Sequence, residues 1–327
     1  MWLSFLIMDS RRYGLAIYKK SYDVRIICTL KKLSLPWPMH LGSPTVVCLM
    51  SFCGAFHRQL TSPLRFRQFG LMRNTLFSTL LAAIVSGGYL IAAPDWPQWR
   101  YDAGHGAVTP HALPDELHLQ WTRQLPMATP AWPSTQHKLD FDIAPEPVAA
   151  DGRLFVPHST NDSVTAYDAR TGEELWRFYA DAPVRFAPVT NNGKLWFVSD
   201  DGHLYCLKAT NGKLLWKFNG GPKERKILGH GRMISSWPAR GGPVHRDGKV
   251  WFTASIWPFM GIFVHCLDAE TGRVVWTNSG EGMNYTVQPH GAASFATVAP
   301  QGHLALAGKR LVVPGGRSSP AVFDADS

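Results

Sequence analysis

The stretch Ala166 to Trp176 reads A-Y-D-A-R-T-G-E-E-L-W, and its spacing returns at Cys206 to Trp216, C-L-K-A-T-N-G-K-L-L-W, and at Cys266 to Trp276, C-L-D-A-E-T-G-R-V-V-W. Each copy opens on a small residue and carries a polar third position (Asp168, Lys208, Asp268). Each then turns at a T-G or N-G pair (Gly172, Gly212, Gly272) and ends on a tryptophan four residues after the glycine (Trp176, Trp216, Trp276). A spacing met three times marks a repeat architecture, in which one supersecondary unit stacks on copies of itself.

The residues before each turn, Val164 to Ala169, Leu204 to Ala209 and Phe263 to Ala269, are rich in β-formers, and the turn glycine tolerates the positive φ of a tight hairpin. The unit therefore reads as strand, turn, strand. A tryptophan fixed on the outgoing strand covers much apolar surface and brings an N–H that needs a partner. The small first residue leaves room for the ring.

This spacing resembles the tryptophan-docking motif A-x-D-x-x-T-G-x-x-x-W of the pyrroloquinoline-quinone-type β-propellers. Ala166, Asp168, Thr171, Gly172 and Trp176 match it at every fixed position. The second copy departs at Cys206, Lys208 and Asn211, and the third only at Cys266. The likeness runs from Trp96 to Ser327, and D-W-P-Q-W-R at Asp95 to Arg100 is similar to the start of many exported members, especially bacterial ones. The resemblance implies an all-β fold, a β-propeller of four-stranded antiparallel blades, and is specific for fold rather than cofactor.

Three blades are expected, from about Ala144 to Tyr179, Val184 to Asn219 and Gly241 to Asn278, with alternating apolar and polar residues marking strands. A fourth begins at Gly302 and reaches A-V-F-D-A-D-S. A lone strand, Leu117 to Leu125, carries Trp121 and reads as a closing strand, since propellers commonly complete a blade from one chain end with a strand from the other. The expectation is a truncated ring, with a small four-bladed ring closed by the Trp121 strand as the other reading.

The formal net charge of +9 suggests nucleic acid only until it is mapped. Residues 1–93 hold eleven Lys/Arg against Asp9 and Asp23, whereas residues 94–327 hold 22 of each sign. The propeller region, 94–327, is thus neutral and no nucleic-acid partner is expected. Residues 76–93, L-F-S-T-L-L-A-A-I-V-S-G-G-Y-L-I-A-A, follow Arg65, Arg67 and Arg73 and end on small residues, the pattern of an export signal. Residues 72–93 read as a signal peptide starting at Met72 or as a retained anchor, the chain's one expected membrane contact. Residues 1–71 read as a basic leader, misannotated or disordered. Either way the propeller is extracytoplasmic, periplasmic or secreted. Cys206 and Cys266 share one motif position and read as small buried packing residues.

The departures from the repeat are its insertions. Gly172 and Gly212 are 40 residues apart, but Gly212 and Gly272 are 60 apart. The extra stretch, Pro222 to Gly242, carries five Lys/Arg with His230 and Trp237. A second, Ser279 to Phe295, carries Asn284, Tyr285, Gln288 and His290. Loops on a rigid scaffold are where binding groups concentrate. His230, Arg232, Trp237, Arg240 and His290 are the candidate ligand or partner residues: arginine forks take carboxylate or phosphate and tryptophan stacks on rings. The opposite reading has the basic run solvated and Trp237 packed at a blade junction. No metal site is expected: the two histidines lack ligand spacing, and Asp140, Asp142 and Glu146 lack that of a calcium loop. No catalytic residue is assigned, because no G-x-S-x-G, H-E-x-x-H, phosphate loop or dinucleotide fingerprint is present.

Two function classes follow. One is an exported, non-catalytic scaffold that presents inter-blade loops to a protein or saccharide partner, similar to outer-membrane assembly propellers and needing no cofactor. The other is a dehydrogenase acting on an alcohol or sugar with pyrroloquinoline quinone over calcium. Against it stands the absence of the adjacent Cys-Cys pair that the resemblance would supply.

Overall fold

A computed structural model describes residues 95–113, 116–126, 145–229, 231–281, 298–315 and 319–327, and the backbone alone of strands within 13–50 and 285–295. They belong to one compact unit, Met1–Ser51 with Pro94–Ser327; Phe52–Ala93 is the second.

Three strands lie in the basic leader: β1 (Tyr13–Lys20), β2 (Asp23–Cys28) and β3 (Thr45–Met50). With β4 (Leu119–Gln124) they form one sheet in the order β1-β2-β3-β4. Runs such as Asp23–Cys28, D-V-R-I-I-C, are rich enough in β-branched residues to pair.

The first blade is β5 (Val148–Ala150), β6 (Arg153–His158), β7 (Ser163–Asp168) and β8 (Glu174–Tyr179). The second is β9 (Val189–Asn191), β10 (Lys194–Val198), β11 (His203–Lys208) and β12 (Leu214–Asn219). A two-stranded hairpin follows, β13 (Lys226–Gly229) and β14 (Arg232–Ser235). The third blade is β15 (Gly241–Arg246), β16 (Lys249–Ala254), β17 (Ile262–Asp268) and β18 (Val274–Glu281), with a single turn of 3-10 helix at Pro258–Met260. Next come the paired β19 (Tyr285–Val287) and β20 (Ala293–Phe295), then β21 (Gly302–His303), which lies parallel to β15. A three-stranded fourth blade closes the series: β22 (Ala305–Ala307), β23 (Arg310–Val313) and β24 (Ala321–Asp324). Within each blade, neighbouring strands are antiparallel and in sequence order. Among the described residues no helix is long and apolar enough to cross a membrane.

The core is divided among the blade junctions. In the second blade Leu195, Phe197, Tyr205 and Leu207 face the first, with Phe155, Val164 and Ala166. Trp196, Val198, Leu204 and Cys206 face the third, with Val250, Phe252 and Leu267. A third cluster joins Trp251, Val264 and Cys266 to Leu304, Leu306 and Leu311. Middle strands are therefore buried on both faces and read as continuous apolar runs such as K-L-W-F-V. The alternation expected of every strand survives only on outer strands such as β4.

The repeated tryptophans hold successive blades together. Trp176 lies against the turn of the second blade, its Nε1 donating to the Ala209 carbonyl at 3.0 Å. Trp216 does the same to Glu270 (3.1 Å) and Trp276 to Ala325 (3.1 Å). Trp121 on β4 takes the same role toward the first blade, donating to Ala169 at 3.1 Å. β4 thus occupies the place of a preceding blade's outer strand, but its strand partner is β3 and not β24. The turn glycines sit at φ of 70–72°, and a Cβ on Gly212 would come within 2.6 Å of the Trp176 ring. Only glycine supplies both the dihedral and the clearance.

Candidate functional site

Because each blade is a meander, its first and third turns emerge on one face and its middle loop and exit on the other. The first face carries short turns tied by one recurring bond: Ala169 N donates to Gly152 O (2.9 Å), Ala209 to Gly193 (2.8 Å), Ala269 to Gly248 (2.8 Å) and Ala325 to Lys309 (2.8 Å). Among the described residues, the second face carries the long connections within 220–240 and 255–261. Of the sequence-derived candidates, Arg232, Trp237 and Arg240 lie on that long-loop face.

Residues 226–235, expected to be loop, form the β13–β14 hairpin. Arg232 fastens it to the first blade, donating to the carbonyls of Ser159 (3.0 Å) and Thr160 (2.7 Å) and pairing with Asp162. Burial raises the pKa of Asp162, and the Arg232 charge opposes that rise. Arg240 grips Asp200 in a fork, Nε to Oδ1 at 2.5 Å and Nη2 to Oδ2 at 2.9 Å, while Arg185 Nε reaches Oδ2 at 2.7 Å. The Asp200 carboxylate is 1% exposed. Beside it, Asp201 binds His203 Nδ1 at 3.2 Å and accepts a hydrogen bond from the Tyr205 hydroxyl. Burial pushes the Asp201 carboxyl up, but these bonds outweigh it and leave the pKa below the usual value.

Trp237 is buried, and its Nε1 donates to Met260 O at 2.8 Å, tying the hairpin's exit to the 255–261 loop. Arg232, Trp237 and Arg240 are thus brought to one region, with their polar groups engaged by the protein's own loops. His230 and His290 lie outside the described residues, as do Asn284, Gln288, Asp140 and Asp142. Exposed on this face are Leu228 (74%), Met233 (53%), Trp257 (47%) and Phe259 (55%). Sequence reading passed over these four because single apolar residues in loops carry no pattern.

A second feature escaped it. The segment after Asp95 runs along the innermost strands of all four blades. Trp96 exchanges backbone bonds with Ala149 (2.6 and 2.9 Å) and Pro97 accepts from Thr190 (2.8 Å). Gln98 brackets the His245 backbone (2.9 and 3.0 Å), and Ala103 accepts from Leu306 (2.7 Å). Trp99 stacks on His303 with ring centroids 4.4 Å apart, and His303 Nε2 meets Glu146 Oε2 at 2.5 Å. Glu146 therefore belongs to this hub. Cys206 and Cys266 are free, buried thiols, each pushed up by burial to about 12.

Among the described residues no group of three or more His, Cys, Asp or Glu gathers to hold a metal ion. The most buried carboxylates, Asp200 and Asp201, are committed to Arg185, Arg240, His203 and Tyr205.

Residues 118–241 match a family model described as outer membrane protein assembly factor BamB. The dehydrogenase subunit of the quinone alcohol dehydrogenase of Gluconobacter oxydans is 35% identical over 143 residues, 40% of this chain and 18% of that protein. The serine/threonine-protein kinase AfsK of Streptomyces coelicolor is 35% identical over 136 residues, 42% of this chain and 14% of the kinase. Among solved structures, quinohemoprotein alcohol dehydrogenase ADHIIG of Pseudomonas putida aligns with a TM-score of 0.42 at 18% identity, over 56% of this chain and 32% of that one. The chain spans between 14% and 21% of the length of the curated relatives it matches. These relatives correct the expectation that no cofactor is involved, since three of them are quinone alcohol dehydrogenase subunits. With its docked indoles and four-stranded antiparallel blades, the chain folds as a β-propeller repeat protein, and its likeness to the pyrroloquinoline-quinone type is carried by the match over residues 118–241.

Proposed function

We propose that this chain is an exported propeller scaffold whose long-loop face receives a protein partner. The observation that carries the reading is the set Leu228, Met233, Trp257 and Phe259, large apolar side chains exposed on loops that interrupt the repeat. Exposed apolar residues of the outer strands, such as Leu175, Leu215 and Val275, recur before each docking tryptophan and belong to the repeat itself. The loop set recurs nowhere, and clustered exposed apolar groups on a rigid face are what partners bury. The export pattern at 72–93 supports an extracytoplasmic location, and the family description supports a partner that is a protein.

The test is site-directed photo-crosslinking in the native host. A crosslinker at Phe259 should give one discrete protein adduct, and the same group at Lys213 on the short-turn face should give none. Equal labelling at both positions, or none at Phe259, would remove the reading.

A second reading, as part of a quinone-dependent alcohol dehydrogenase, is favoured by the 35% identity to such subunits. Pyrroloquinoline quinone with calcium should then raise the melting temperature in proportion to the logarithm of ligand concentration. A flat response would leave the scaffold reading alone.

A further inference from the structure

Resting on the reading of the long-loop face as a protein-binding surface, we infer that the β13–β14 hairpin receives an extended acidic segment of the partner as a third strand along β13. The hairpin is held from one side. Ser235 N donates to Asp200 O (2.8 Å), and Arg232 on β14 is clamped to the 159–162 loop. Among the described residues the opposite edge, β13, pairs with β14 alone.

The register says which backbone groups that edge offers. Lys226 faces Ser235, Ile227 faces Ile234, Leu228 faces Met233 and Gly229 faces Arg232. Residues 230 and 231 connect the strands, so Gly229 and Ile227 spend their N–H and C=O groups on β14. Those of Lys226 and Leu228 point away from it. Among the described residues no backbone bond outside the hairpin reaches them. An unpaired edge with free amides and carbonyls is the template for strand addition.

Side chains on the hairpin define the incoming segment. Ile234 is buried beneath, whereas Leu228 and Met233 form an outward cross-strand pair at 74% and 53% exposure. Lys226 is exposed, and Lys223 and Arg225 lead into the strand, also exposed. None of the three cations has an ion-pair partner among the described residues; Glu224, between Lys223 and Arg225, lies 3.7 Å from His203 Nε2. The edge therefore repels a basic strand and attracts one that alternates carboxylates with apolar residues. A bilayer surface would use the charge and the apolar pair but would leave the Lys226 and Leu228 amides unsatisfied, and so is disfavoured.

The experiment titrates purified protein with a decapeptide of alternating aspartate and valine. Controls are a lysine–valine decapeptide, the aspartate peptide N-methylated on alternate amides, and vesicles of phosphatidylcholine with phosphatidylglycerol. Only the unmodified aspartate peptide should bind. The double variant Leu228→Ser/Met233→Ser should weaken it about tenfold or more, as loss of a central apolar contact does. Lys226→Glu should do the same, and both variants should melt at the wild-type temperature because these side chains are exposed.

Binding to vesicles but not to the peptide overturns the inference in favour of a membrane surface. Equal binding of the N-methylated peptide overturns the strand addition. If the Phe259 crosslink persists in the double variant while no peptide binds, the hairpin inference falls and the scaffold reading stands. If no adduct forms from Leu228, Trp257 or Phe259, the scaffold reading itself falls.

Discussion

On one face of the blades the first and third turns keep nearly the same length and the same tie, from Gly152–Ala169 to Lys309–Ala325. On the other, four residues join β6 to β7 whereas twenty-one lie between β12 and β15. The short-turn face carries the energetics that every blade shares: a glycine at positive φ, an indole laid over it and an N–H bond to the next blade. The long-loop face has no common device. It is assembled from single side chains, Arg232 to Asp162 and Arg240 to Asp200, that brace one insertion each. A repeat protein can thus vary one face freely because its blades are locked from the other.

The largest expected effect breaks the shared device. Gly212→Ala places a methyl group 2.6 Å from the Trp176 ring at a φ of 70°. It should cost about 4 kcal/mol, roughly one for the left-handed dihedral and the rest for the displaced indole. Gly193 has nearly the same φ, 71°, with nothing within 4 Å of its would-be Cβ. Gly193→Ala should therefore cost only about 1 kcal/mol. Chemical denaturation of the two variants separates indole docking from backbone strain; equal losses would mean the indole contributes little.

Acid should act on the opposite face. His265 donates from Nε2 to the carbonyl of Gly220, where the connection from β12 to β15 begins, and burial lowers its pKa from 6.5 to about 4. His158, at the long-loop end of β6, is lowered to about 4 by burial and then by Arg177. Between those values the unfolded chain binds protons that the folded chain refuses. Stability present at neutral pH is thus lost as pH falls from 6.5 toward 4, by up to about 3 kcal/mol for His265. Hydrogen exchange at pH 5 should speed up around 220–240 before it does in the turns around Gly172 and Gly272. Uniform acceleration would deny the separation of the two faces.

Arg240→Met comes next. It leaves the buried Asp200 with Arg185 as its one remaining guanidinium partner among the described residues, and should cost about 2–3 kcal/mol. The loss should be reduced when Asp200→Asn is added, since the neutral side chain no longer needs both cations. Additive losses would show that Arg240 acts by packing instead.

How much of this was legible depended on what recurs. The T-G pairs and their tryptophans displayed the blades because identical geometry demands identical residues. The small first position, Ala166 or Cys206, foretold a packed ring beside it. The hairpin at Lys226–Ser235 was illegible because four-residue strands joined at G-H-G have too few positions for a period, and K-I-L-G has no counterpart elsewhere in the chain. Arg232 and Arg240 stood out by residue type, but nothing in sequence order announces that Asp162 and Asp200, 70 and 40 residues away, meet them. The hub strand failed for a related reason: Trp96, Pro97 and Gln98 each serve a different blade through backbone or amide groups that any sequence offers.

The smallest effect expected concerns the polar third position of the repeat. Asp268 Oδ1 accepts from the amide (2.8 Å) and hydroxyl (2.7 Å) of Thr271, bonds that hold its pKa below the usual carboxylate value. Lys208 cannot accept such bonds in the second copy, yet Gly212 N still reaches Lys208 O at 2.9 Å, against 2.8 Å for Gly272 to Asp268. The turn backbone therefore survives without the carboxylate, and Asp268→Ala should cost no more than about 0.5–1 kcal/mol. A carboxylate with a lowered pKa contributes above its unfolded value, 3.8, and ceases to as pH falls through the folded one. The gap between wild type and variant should accordingly close in strong acid while the penalty of Gly212→Ala persists. If the Asp268 gap proves as large as that of the glycine, the turn is held by its side chains, and the two faces of the propeller are less different than their backbones.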